Sequence, residues 1–331
     1  MVSLKRKFLH PAQCLMGLLL ASSIPHAALA QTQNFPNKAI HIIAPIPAGG
    51  STDRLVRLVA QHLQKRVGQS VVVENKPGGS SSIGTAFVAK SAPDGYTLVL
   101  VNGSHAINPH VYPSLPFDAI KDFTPVVHMT SLSMGLFVNP SLPVNNLAEF
   151  IALAKAKPET INYASAGNGG VGHLTGEMFK HATGLTTQHI PYRGSAPALV
   201  DTISGQVQAV FTDAPLVQQH VKAGKLRALA LASKGRSVVL PNVPTFTESG
   251  VRNMENSIWV GLLAPANTPA DIVRTLNREI VAILRDPAMT ADLNGQGFDV
   301  VASTPEEFAK SIRDDYATFG AIVKSARIKA D

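Results

Sequence analysis

The small-residue run Pro47-Ala48-Gly49-Gly50-Ser51-Thr52-Asp53 follows the apolar stretch 39–44 and leads into a helical pattern. In that pattern Leu55, Leu58, Val59, Leu63 and Val67 fall on one stripe, and Arg54, Arg57, Gln61, Gln64 and Lys65 on the other. Strand, glycine loop and amphipathic helix in this order commit the segment to a sheet covered by helices. Residues 70–74 read as the next strand and 78–84 as a loop entering a helix that runs to Lys90. Pro93-Asp94-Gly95 turns into a strand over 96–101.

The same alternation starts again later in the chain. Residues 133–139 read as extended, Leu147–Ala156 as a helix stopped by Pro158, and 161–164 as a strand. The loop Ser165-Ala166-Gly167-Asn168-Gly169-Gly170-Val171-Gly172 opens a helix over about 173–182. After it come a strand at 187–191, the loop Tyr192-Arg193-Gly194-Ser195, a helix at 196–204 and a strand at 207–212. Two α/β units in tandem are therefore expected, with extended stretches 129–138 and 257–264 crossing between them. C-terminal helices over 269–284 and 305–325 are expected to pack mainly on the first unit.

The N-terminus carries Lys5, Arg6 and Lys7, then an apolar run from Cys14 to Ile24, then Ala28-Leu29-Ala30. This is the order of a cleavable secretion signal, and the run is short of the roughly 20 residues a spanning helix needs. The expected mature chain begins at Gln31. The 29 Lys and Arg against 22 Asp and Glu give +7; loss of the three leader cations and no acid leaves +4. Cys14, the single cysteine, leaves with the leader, so disulfides and thiolate metal sites are not expected. Dispersed charge and a single Trp argue against nucleic acid as a partner.

Three loops carry candidate chemistry. Ala48, Gly49, Gly50, Ser51, Thr52 and Asp53 place backbone N–H groups at a helix start, where an anion is favoured. Ser51, Thr52 and Asp53 are either caps or contacts to a ligand, directly or through water. Gly167–Gly172 fits G-x-G-x-x-G, but no acidic residue for a ribose stands about 20 residues on, so it reads as a second anion cradle rather than a nucleotide site. Ser165, Asn168 and Gly169 are its donors, and His173 is either a packed residue or a contact. In the third loop Tyr192, Arg193 and Gly194 follow a strand, with Arg193 either clamping a carboxylate or solvated. Asp213 either accepts from a ligand or caps the segment at Pro215. No G-x-S-x-G, H-E-x-x-H or P-loop pattern occurs, and the histidines show no metal-ligand spacing. Neither a metal nor another cofactor is expected.

Several stretches together resemble the Bug family, the substrate-binding proteins of tripartite tricarboxylate transporters. They are 36–43 with the loop 47–53, Val71-Val72-Val73-Glu74-Asn75-Lys76-Pro77-Gly78, Ala92-Pro93-Asp94-Gly95-Tyr96, Ile190-Pro191-Tyr192-Arg193-Gly194-Ser195, 224–230 and 261–269. The resemblance implies an α/β periplasmic-binding-protein type II fold, with two lobes that each hold a mixed sheet flanked by helices, and a two-strand hinge. It divides the chain into lobe 1 (31–131 and 256–331) and lobe 2 (132–255). It also adds Asn102 and Ser104, after the strand ending at Val101, to the expected site. Gly170-Val171-Gly172 departs from the family, where bulkier residues are common, and would loosen that side of the pocket. The expectation is a periplasmic, monomeric, non-enzymatic binder of a small mono- or dicarboxylate that serves transporter subunits or a sensor kinase. The rival is an exported Ser/His/Asp hydrolase.

Overall fold

The computed structural model describes residues 35–326 together with Val2 and Ile328. The secretion signal, Cys14 and the cleavage after Ala30 lie outside the described residues. Phe35–Asp331 forms one compact unit, built on two sheets that share a strand.

The first sheet starts as the alternation predicts, with β1 (Ile40–Ala44), α1 (Ser51–Val67), β2 (Val71–Asn75), α2 (Ser82–Ala89) and β3 (Thr97–Asn102). β1 runs parallel to β2 and to β3, with Ile42 opposite both Val73 and Leu98. Parallel neighbours need crossovers, which α1 and α2 supply. The α1 stripe of Leu55, Val59 and Leu63 is buried beside Ile40 and Ile42 and against Leu276, Ile280 and Ile283 of α8 (Ala270–Leu284).

β4 (Phe123–Val138) is a 16-residue strand that joins the two sheets. Its first part lies antiparallel to β9 (Ser257–Pro265), from Phe123 opposite Pro265 to Ser133 opposite Ser257. β9 also lies antiparallel to β3, and β10 (Asp299–Val300) pairs with β4 at Ser131 and Thr130. From Met134 onward β4 pairs instead with β7 (Ala209–Asp213) and, from Gly135, with β8 (Arg227–Leu231). β5 (Asn162–Ser165) is parallel to β7 and to β6 (Gln188–Pro191), which completes the second sheet. Both sheets are thus mixed. β4 begins six residues before the extended stretch expected at 129. Pro125, which has no N–H for the ladder, stands where the register shifts, and the strand survives it as a bulge.

Three helices have no counterpart in the sequence reading: α3 (Ser104–Val111), α7 (Ala214–Lys222) and α9 (Pro287–Gly295). α3 holds Pro109 in its last turn, a breaker that hides its period, while α7 and α9 carry theirs in the first turn, where proline is tolerated. α4 (Leu147–Ala156), α5 (Val171–Thr183) and α6 (Ser195–Ser204) cover the second sheet. The last helix, α10 (Pro305–Ala326), is not confined to the first sheet. Its Phe308, Phe319 and Val323 share a core with Leu174 and Phe179 of α5, and its 22 residues, at about 1.5 Å each, reach both layers. No described helix is long and apolar enough to cross a membrane.

Candidate functional site

The first loop hangs on Asp53. This carboxylate is 2 % exposed and accepts from the Gly49 N–H (2.9 Å), from Arg57 Nε (3.0 Å) and, at its other oxygen, from Asn75 Nδ2 (2.8 Å). Burial alone would raise its pKa, but these donors hold it at about 2. Asp53 is therefore an internal brace, and it takes up the Gly49 N–H that the sequence assigned to a ligand. The donors left for an anion lie in the first turn of α1, at Ser51 and Thr52, whose N–H groups have no acceptor within the helix. Gly49 needs its φ of +91°, and a Cβ at Gly49 or Gly50 would meet nothing within 4 Å. Ala48 is exposed beside them.

The second-lobe loop turns several expected contacts inward. Ser165 is fully buried; its hydroxyl donates to the Gly167 carbonyl (2.9 Å) and pairs with His189 Nε2 at 2.7 Å. It is spent on holding the loop, and its burial also denies a Ser165–His189 pair any approach to an ester. His173, 6 % exposed, accepts from the Gly169 N–H at Nδ1 (3.0 Å) and stacks on His189. It packs the loop rather than facing the cleft. Gly169, at φ +69°, lies against Val111 of α3, where a Cβ would come within 2.7 Å of Cγ1. Asn168 is half-buried in the same turn. Tyr192 donates its hydroxyl to Asp201 (2.7 Å); burial and that carboxylate push its pKa up to about 12. The Gly194 N–H donates to the Ala166 carbonyl, and Arg193 is exposed.

Between the sheets lies a cleft of about 570 Å³. One wall is Gly49, Gly50, Ser51 and Arg54; facing them are Ser195, Asp213 and Leu216. Asp213 caps α7 through the Leu216 N–H (3.0 Å) and, half-buried, has its pKa raised by desolvation. The predicted contacts brought together are thus Gly49, Gly50, Ser51 and Asp213. Thr52 and Asn102 line a separate small cavity behind α1, and Asn102 accepts from the Ser104 N–H (3.0 Å). Sequence reasoning missed Arg54, Ser195, Gln296 and Phe298 as cleft residues. Arg54 had been placed only on the polar stripe of α1, and Ser195 closed a loop already singled out. Gln296 and Phe298 come from the α9–β10 link and carry no local signal. Among the described residues no group of three or more His, Cys, Asp and Glu is arranged for a metal ion.

The chain matches the family described as tripartite tricarboxylate transporter family receptor over residues 55–328. Protein BugT of Bordetella pertussis is 36% identical over 316 residues, covering 95% of this chain and 97% of that protein. An R. palustris protein solved with adipate is 34% identical with a TM-score of 0.80, covering 90% of this chain and 100% of its own. The periplasmic binding protein BugD is 31% identical with a TM-score of 0.77, at the same coverage.

Proposed function

This chain belongs to the tripartite tricarboxylate transporter receptor family, and from that premise we propose that it captures a small mono- or dicarboxylate reversibly in the inter-lobe cleft. The observation that carries the reading is the pairing of Arg54 and the open glycine start of α1 on one wall with Ser195 on the other. A carboxylate there meets a guanidinium and first-turn N–H groups at once, and closure replaces water with fixed dipoles. The lobes in this reading are 31–131 with 256–331, and 132–255, flexing where β4 changes sheets.

The protein works without chemistry, as a monomer in the periplasm after loss of residues 1–30, and presents its solute to transporter subunits or a sensor. The likeness to an adipate-bound protein and to a periplasmic binding protein supports ligand class and compartment. Calorimetry of the mature chain against short carboxylates tests it: saturable binding with the solute recovered unchanged is expected. Arg54→Gln should weaken it about tenfold. Turnover of a solute, or no binding by any of them, would refute it.

A further inference from the structure

Phe298 and Asp299 face opposite ways. Phe298 lines the cleft, whereas Asp299 and Val301 line a second gap of about 570 Å³. That is the alternation of an extended chain, so cleft and gap lie on the two faces of β10, beside the stretch of β4 that passes between the sheets. The link into β10 also meets the second lobe, since a Cβ at Gly297 would come 2.5 Å from Pro215 Cγ. A rotation of the lobes about this strand therefore narrows one space as it widens the other.

The walls of the gap carry opposite charge. The loop after β8, in the second lobe, supplies Lys234 and Arg236; β10 and α10, in the first, supply Asp299, Asp314 and Asp315. Most of these are already matched. Arg236 pairs with Glu248 (3.1 Å), Asp314 pairs with Lys310, and Asp315 accepts from Trp259 Nε1 (2.6 Å). His128 also lines the gap, and burial lowers its pKa to about 4, so it is neutral at pH 7. Glu255 lies on the same lobe as Lys234, so a bond between those two would not span the gap. What is left is one cation and one anion on opposite walls. Lys234 is exposed and makes no ion pair or hydrogen bond among the described residues. The Asp299 carboxylate has one hydrogen bond among them, from Ser133 Oγ at 3.4 Å. Burial pushes the Asp299 pKa up, so a cation brought to it offsets a desolvation it already carries.

We propose that Lys234 and Asp299 form an ion pair across this gap when the cleft is open, a latch that holds the solute-free protein open and breaks as the lobes close on the solute. This rests on the two-lobe capture described above. Each capture event works against the pair, which lowers the apparent affinity by about two- to fivefold.

Carbodiimide, which joins an amine to a carboxylate in direct contact, tests the pair in the solute-free mature chain. Peptide mapping by mass spectrometry should find Lys234 coupled to Asp299, with a yield that falls at least about twofold between about 50 and about 500 mM NaCl as screening rises. The single cysteine, Cys14, belongs to the leader, so cysteines introduced into the mature chain take spin labels selectively. Gln61→Cys on α1 and Val200→Cys on α6 are exposed positions on helices that begin at facing walls of the cleft. Double electron–electron resonance on the coupled protein should keep the longer label separations of the uncoupled sample and lose any shorter ones. No Lys234–Asp299 product, coupling of Lys234 to Glu255 alone, a yield indifferent to salt, or coupled protein that retains the shorter separations would overturn the latch. Neither readout contains a solute, so failure of the carboxylate reading shows separately, in calorimetry.

Discussion

His173 and His189 stack across α5 and β6 with ring centroids 3.8 Å apart and planes 11° from parallel. Burial, with smaller contributions from His173 and Lys180, brings the His189 pKa down to about 3. Burial likewise lowers His105 and His128 to about 4. Between those values and the ordinary 6.5 the unfolded chain binds more protons than the folded one, so these groups make stability rise with pH. Their contribution is complete above about 6.5 and is lost on acidification; for fully buried His105 the loss by pH 4 is about 3 kcal/mol. Asp213, Asp299 and Asp315, whose pKa values burial raises, act in the opposite sense, so the difference between two proteins is the clean measure. Urea unfolding of wild type and His189→Phe from pH 4 to 7 should show the variant losing less stability on acidification. Parallel pH profiles would remove His189 from the account.

Asp53 ties α1 to the strand end at Asn75 and to its own loop. Asp53→Asn keeps the shape but loses the charge on which the Gly49 N–H and Arg57 depend. The expected cost is about 1–3 kcal/mol, since hydrogen bonds to charged groups are worth that much, with a weaker carboxylate affinity because the loop loses its anchor. The wild-type share persists until pH falls below the usual 3.8 and vanishes through about 2. Denaturant midpoints and calorimetry read the two effects separately.

Gly49 and Gly50 offer a contrast. Both have open space where a Cβ would go, but Gly49 sits at φ +91° and Gly50 at φ −72°. Gly49→Ala should destabilise by about 1–2 kcal/mol through backbone strain. Gly50→Ala should leave stability within about 0.5 kcal/mol while weakening solute binding, because its methyl enters the cleft. Equal melting temperatures for the two variants would contradict this.

Gly169 and Val111 couple the second-lobe loop to α3. A Cβ at Gly169 clashes at 2.7 Å with Val111 Cγ1, on top of its φ of +69°. Gly169→Ala should therefore cost more than strain alone, and Val111→Ala should recover part of that loss. A double-mutant cycle is expected to give about 0.5–1.5 kcal/mol of coupling. A coupling of zero would mean the loop moves aside freely.

Local pattern carried much of this protein. Periods of two and 3.6 marked β1, α1, β5, α4 and α10, and the first glycine loop marked one wall of the cleft. A residue's own segment also made Arg54 visible as the first cation of α1. What local pattern does not encode is which way a polar side chain turns once the sheets close. Ser165 read as a donor to a ligand and His173 as either a packed residue or a contact, and the fold pairs them with His189 and Gly169, because burying a loop obliges its polar groups to find partners nearby. His105 finds its hydrogen-bond partner in the Ala119 carbonyl, fourteen residues on. Gln296 and Phe298 reach the cleft because β10 pairs with β4 just before that strand passes into the second sheet. The sequence by itself determined most of the elements and the anion-favouring start of α1; the tertiary structure alone decided which polar side chains line the cleft and which are turned inward, since that is settled by contacts between segments remote in the chain.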